Sequence, residues 1–172
     1  MRQAHPRIQR EVLGLLKDNG ITRAPVPVEE IARNSGIDVR YEAAEDELSG
    51  ALIRKHEEIV IGVNSAHHPN RQRFTIAHEI AHFILHKGIR LHVDEDFRIN
   101  LRDGQKNREE MEANVFAAEL LMPSAFVMRD AGRLQNLDED DIRRLARRYQ
   151  VSQRAMEIRL ANLGLIDPSD EQ

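Results

Sequence analysis

The segment RQRFTIAHEIAHFILHK, residues 71–87, constrains this chain more than any other. Phe74, Ile76, Ala77, Ile80, Ala81, Phe83, Ile84 and Leu85 go nearly all the way round a helix that Gly88 closes. A helix apolar on almost every side is buried on most of them. Yet His78, Glu79 and His82 interrupt it. Burying three such groups is costly unless they are paired with one another or bind a metal. Histidines at i and i+4 stand one turn apart on one face, so both imidazoles reach one ion. Glu79 points toward the side of that ion where a bound water sits. Zinc lowers the pKa of such a water to about 7, and the carboxylate takes its proton as the water attacks a carbonyl. The plainer alternatives are a core pairing of histidine with glutamate and a chance match on a helix surface.

Catalytic zinc takes three protein ligands and keeps one position open. The chain has no cysteine, so the third ligand must be His, Asp or Glu. His86 lies eight residues after His78, about 12 Å at about 1.5 Å of rise per residue. Three residues spread over that length cannot close on one ion through bonds of about 2.1 Å. His92 lies beyond Gly88 and is not excluded by helix geometry. The better candidate lies in Glu109-Glu110-Met111-Glu112-Ala113-Asn114. On a helix, Glu110 shares a face with Ala113, Asn114, Ala117 and Leu121, whose small members permit close approach to the histidine helix. Glu112 shares its face with Glu109 and Glu119, which reads as the solvated side although Phe116 interrupts it. Glu110 is therefore the expected ligand and Glu112 the reserve. Asn114, one turn after Glu110, is placed to accept a hydrogen bond from a ligand histidine. A glutamate at a helix start also simply favours the helix dipole, which fits Glu109 best. For stabilising a transition-state oxyanion, Arg73, His86, His92 and Tyr41 are the candidates.

The 172 residues suffice for one compact domain with a small appendage. The formal charge of -4 argues against a surface that coats nucleic acid. No stretch approaches the roughly 20 apolar residues that span a bilayer, and charge interrupts the first helix, so neither an export signal nor a membrane partner is expected. The cytoplasm is the expected compartment. Helices are predicted at 7–19, on Ile8, Val12, Leu15 and Leu16, and from Val28 to near Gly36. Strands at 37–41, 51–53 and 59–63 predict a small antiparallel sheet. Residues 89–107 read as charged and irregular, with an edge strand at 97–101. Further helices are predicted at 109–122, 124–131, 138–148 and 152–162.

The run Arg73-Phe74-Thr75-Ile76-Ala77-His78-Glu79-Ile80-Ala81-His82-Phe83-Ile84-Leu85-His86 resembles the ImmA/IrrE family of bacterial and phage zinc metallopeptidases. So does Glu110-Met111-Glu112-Ala113-Asn114-Val115-Phe116-Ala117-Ala118-Glu119-Leu120-Leu121-Met122-Pro123. Leu48-Ser49-Gly50 and the strand end at 61–64 are weaker echoes. The likeness covers about residues 8–125. It implies an α+β fold: a small antiparallel sheet packed on a mainly helical, zincin-like metallopeptidase core with a C-terminal helical hairpin. It implies Zn2+ on His78, His82 and a glutamate, and the E-x-x-A-[DN] pattern of related gluzincins is similar to Glu110 through Asn114. It also implies a protein substrate, a helix-turn-helix transcriptional repressor whose cleavage switches on stress or mobile-element genes.

Leu145-Ala146-Arg147-Arg148-Tyr149-Gln150-Val151-Ser152-Gln153-Arg154-Ala155 resembles a helix-turn-helix. Ala146 would pack between the helices and Ser152 would cap the second. Gln150 stands where a turn glycine is usual, which leaves the tight turn open. Arg143, Arg144, Arg147, Arg148, Arg154 and Arg159 either contact DNA or are solvated and paired with Asp138 to Asp141. The expected organisation is a metallopeptidase domain at 1–132, a helical segment at 133–166 and a disordered tail at 167–172. The competing function is a non-catalytic, metal-bound regulator that binds a partner protein or DNA through its C-terminal helices.

Overall fold

The computed structural model describes residues 6–88, 90–95, 104–134 and 137–167. In chain order these form α1 (Pro6–Asp18), α2 (Val28–Asn34), β1 (Asp38–Glu42), β2 (Leu48–Lys55), β3 (Glu58–Asn64), α3 (Pro69–Leu85), β4 (Leu91–Glu95), α4 (Gly104–Leu121), α5 (Ser124–Ala131), α6 (Glu139–Tyr149) and α7 (Gln153–Asn162). The fold class is α+β, as expected. Contacts group Pro27–Ala117 as one unit, and the described parts of Met1–Val26 and Ala118–Gln172 as another. Packing thus joins the first helix to the last ones. The strand anticipated at 97–101 and the tail beyond 167 lie outside the described residues.

In the unit Pro27–Ala117 the sheet has the order β1-β3-β2-β4. β2 and β3 form an antiparallel hairpin whose last pair is Lys55 and Glu58, and β4 runs antiparallel to β2. β1 runs parallel to β3, pairing Asp38 with Val60 through Glu42 with Asn64. The sheet is therefore mixed, not wholly antiparallel. Alternation at Ile37, Val39 and Tyr41 marks a strand face but carries no information about direction. After β1 the chain crosses to β2, and Asn64 holds that crossing. Its Nδ2 donates to the carbonyls of Glu45 (3.0 Å) and Leu48 (2.8 Å), and its Oδ1 accepts from the Ala66 amide (3.0 Å).

α3 packs against β2 and β3. Leu52, Ile61 and Val63 are buried beneath it, as are Ile76, Ala77, Ile80 and Ala81 of the helix itself. Gly50 sets the approach. A Cβ there would collide with the Thr75 side chain and lie 2.7 Å from the Gly62 carbonyl oxygen. At the other end of α3, Arg54 of β2 donates to the carbonyls of His82 (3.2 Å) and Phe83 (2.9 Å), satisfying acceptors that a helix end leaves open. Its backbone amide reaches the Arg90 carbonyl at 2.8 Å, so one residue ties the end of α3 to the entry of β4.

In the second unit, α1 buries Ile8, Val12 and Leu16. α6 ends on Gln150 in the left-handed region, φ 54, and the Val151 amide then bonds the Ala146 carbonyl at 3.0 Å. The tight turn forms without glycine. Ala146 is buried, and the Ser152 side chain caps α7 by accepting from the Ala155 amide at 3.1 Å. Glu119, read from the sequence as solvated, is buried: it accepts from the Ser124 amide and hydroxyl and pairs with buried Arg159. Helix periodicity places a charge on a face but cannot show which partner waits there. Arg143 pairs with Glu139 and Asp140, Arg144 with Asp141, Arg148 with Asp130, and Arg154 with Glu157. Among the described residues no single helix is long and apolar enough to cross a membrane; the bent pair Arg108–Leu121 and Ser124–Ala131 passes on length and composition alone.

Candidate metal centre

α3 delivers His78, Glu79 and His82, all buried, with Glu79 fully so. α4 delivers Glu110 against them. Its Oε2 lies 3.2 Å from His78 Nε2 and its Oε1 3.5 Å from His82 Nε2. The two Nε2 atoms face each other at 3.0 Å. His78 Nδ1 donates to Asn114 Oδ1 at 3.1 Å, so the other ring nitrogen, Nε2, is the one turned to the cluster. Glu112 points elsewhere, to His86 at 3.4 Å and Arg108 at 3.1 Å. The structure thus brings together His78, His82, Glu110 and Asn114, and sets the reserve glutamate apart from them.

His92 of β4 joins the cluster from the sheet side. One donor atom from each of His78, His82, His92 and Glu110 falls within 4.8 Å of the others. His92 Nε2 lies 2.7 Å from Glu110 Oε1, and Nδ1 lies 3.2 and 3.1 Å from the two Glu79 oxygens. Its ring stacks on His82 with centroids 3.7 Å apart. The sequence reading named His92 only as an open candidate. Leu91 and Val93 alternate with it and are exposed while His92 is buried, the reverse of what an apolar-in alternation would suggest. Tyr41 donates to Glu29, a separate contact, so its hydroxyl is already committed.

Charge follows from this crowding. Burial, only partly offset by Glu110, pushes His82 down to about 4. Burial also opposes charge on His92, yet hydrogen bonds to Glu110 and Glu79 carry it up to about 10. Burial alone would raise Glu110, but the imidazoles of His78, His82 and His92 beside it hold it well below the usual carboxylate range. Two imidazole nitrogens and a carboxylate converge with their lone pairs toward one point. Positive charge at its centre would stabilise such an arrangement. The donor set fits a metal ion.

The model of the IrrE N-terminal-like domain, a peptidase family, matches residues 32–161. The chain belongs to that family. It is similar to the radiation response metalloprotease IrrE of Deinococcus radiodurans, at 40% identity over 83 residues, or 45% of this chain and 23% of that protein. Its fold is similar to that of a Mycobacterium tuberculosis transcriptional regulator, with a TM-score of 0.65 and 23% identity over 90% of this chain and 46% of that one. The chain therefore spans less than half the length of either relative. It is a member of a metallopeptidase family, and its α3–α4–β4 cluster of His78, His82, His92 and Glu110 could hold a metal ion.

Proposed function

We propose that this chain is a zinc-dependent endopeptidase that acts in the cytoplasm on a helix-turn-helix transcriptional repressor, switching on stress or mobile-element genes. The observation that carries this reading is Glu79. It is 0% exposed and lies between His78 and His82 on α3, with both oxygens held by His92. A packing role alone would be served as well by an apolar residue.

His78, His82 and Glu110 would hold the ion, a set of nitrogen and oxygen donors that suits zinc. Bound there, zinc polarises the peptide carbonyl and acidifies water. The remaining work falls to the chain. Asn114 keeps the His78 ring turned so that Nε2 faces the centre. Glu79 Oε takes the proton of the attacking water and returns it to the departing amine nitrogen. His92 fixes the Glu79 carboxylate for both transfers. The word "radiation response" in the name of the Deinococcus relative supports a stress-linked role.

The regulator reading draws support from the α6–α7 turn, which has the helix-turn-helix shape. Against DNA as the partner stand the arginines themselves. Arg143, Arg144, Arg148, Arg154 and Arg159 each already hold a carboxylate, and phosphate contacts would have to break those pairs. The hairpin is better suited to packing or to docking a protein.

The test incubates zinc-loaded wild-type protein and Glu79→Gln with a helix-turn-helix repressor of the same genome and reads cleavage by mass spectrometry. The wild type should cut. Glu79→Gln should keep its zinc and lose about 10²–10⁴-fold in rate. Equal cutting by both would remove Glu79 from the chemistry, and the reading with it.

A further inference from the structure

Beyond the cluster lies a chain of contacts that the proposed reaction does not use. His82 Nδ1 lies 3.0 Å from His86 Nδ1. His86 Nε2 lies 3.4 Å from Glu112 Oε2. The other oxygen of Glu112 accepts from Arg108 Nε at 3.1 Å. His86 is half-exposed at most, and Arg108, the last link, is exposed. The residue that sequence geometry excluded as a ligand and the glutamate kept in reserve are thus consecutive links in one line that ends on His82.

One placement of protons satisfies every contact along this line. An ionised Glu112 only accepts, so His86 must present a proton to it on Nε2. With that proton on Nε2, the His86 Nδ1 lone pair is the acceptor facing His82. His82 must supply the donor, so its proton sits on Nδ1 and its Nε2 lone pair is free. That lone pair is the one that faces His78 Nε2 and Glu110. Asn114 does the same for His78 with a single amide oxygen. The two histidines of the motif are therefore oriented by different devices, a local amide for one and a two-step relay for the other.

We propose that His86 and Glu112 are positioning residues, which act through His82 by holding its ring and its tautomer for metal binding. This rests on the reading of His78, His82 and Glu110 as the ligand set. It explains why a helix otherwise apolar carries a third histidine one turn past the motif. It also gives Glu112 a task that requires a carboxylate acceptor beside His86. Partners of this kind, which touch a ligand and not the ion, typically change metal affinity by about 10–100-fold when removed.

The test is a zinc titration of the metal-free protein against a chromophoric chelator, with nitrogen-15 NMR of the imidazoles in the zinc-loaded form. His86→Ala should weaken zinc binding by about 10–100-fold. His86→Gln, whose amide oxygen can still accept from His82, should recover part of the loss. Glu112→Leu should weaken binding less than His86→Ala, and Glu112→Gln should restore most of that. Glu112 is only partly buried, so its variants remain informative even if His86→Ala folds poorly. The NMR should show the His86 proton on Nε2 and its Nδ1 bare, a signature that a purely structural role would not set. Wild-type affinity in both His86→Ala and Glu112→Leu, or a proton on His86 Nδ1, would overturn the proposal while leaving the ligand set intact. Failure of the wild type to bind zinc would instead bring down the ligand set and the relay together.

Discussion

Two buried polar groups in this molecule look alike in a list of residues and differ in kind. In the unit of α5 and α7, Arg159 donates to Glu119 and, through Nε, to the Met122 carbonyl at 2.9 Å. Glu119 spends its other oxygen on the Ser124 amide and hydroxyl, at 3.0 and 2.8 Å. Donors meet acceptors, and the charges cancel within the set. Around α3 the balance is different. Two imidazole nitrogens meet at 3.0 Å with a carboxylate beside them, and His92 reaches the same carboxylate. The first set closes on itself and holds helices. The second gathers four possible metal donors within 4.8 Å of one another, so it suits a cation. A buried cluster points to function when its donor atoms converge on one point, not when it is merely charged.

That contrast can be broken at either end. Removing one partner from the closed set strands a buried charge, so Glu119→Ala should cost about 3–5 kcal/mol in urea unfolding. Its metal content should stay that of the wild type. Loss of metal along with stability would mean that the two sets are not independent. The open set should respond to its missing charge instead. Stripping metal with a chelator should lower the stability of the wild type by about 2.7 kcal/mol, if free metal beforehand stands near 100 times its dissociation constant. An unfolding midpoint indifferent to chelator would show that the cluster needs no ion. Gly50→Ala sharpens the comparison from the packing side. The added methyl meets Thr75 and the Gly62 carbonyl, and α3 must shift, at a cost of about 1–3 kcal/mol. Because α3 carries His78 and His82, metal affinity should fall with stability, unlike in Glu119→Ala.

How much of this was legible beforehand varies by element. α3 was readable because an all-round apolar helix and a polar trio cannot coexist without a reason. Glu110 was readable from the small residues on its face, and the structure turns that face to the histidines. β4 was not readable. Its five residues, Leu91–Glu95, lie in a charged stretch, and its strand character depends on pairing with β2. His92 was therefore only a candidate, since its place on the inner face follows from register and not from local pattern. The parallel pairing of β1 was hidden for the same reason. Glu119 was misjudged because its partner, Arg159, lies 40 residues on, and no helical period reaches that far.

The most direct test of the ligand set is metal content by elemental analysis on wild-type protein beside His78→Ala, Glu110→Ala and Glu112→Ala, each purified with zinc in excess. The account predicts near-stoichiometric zinc in the wild type and in Glu112→Ala, where binding is weaker but still saturated. It predicts none in His78→Ala and little in Glu110→Ala. A wild type that holds no zinc, or a Glu112→Ala that loses it while Glu110→Ala keeps it, would contradict the assignment of these residues.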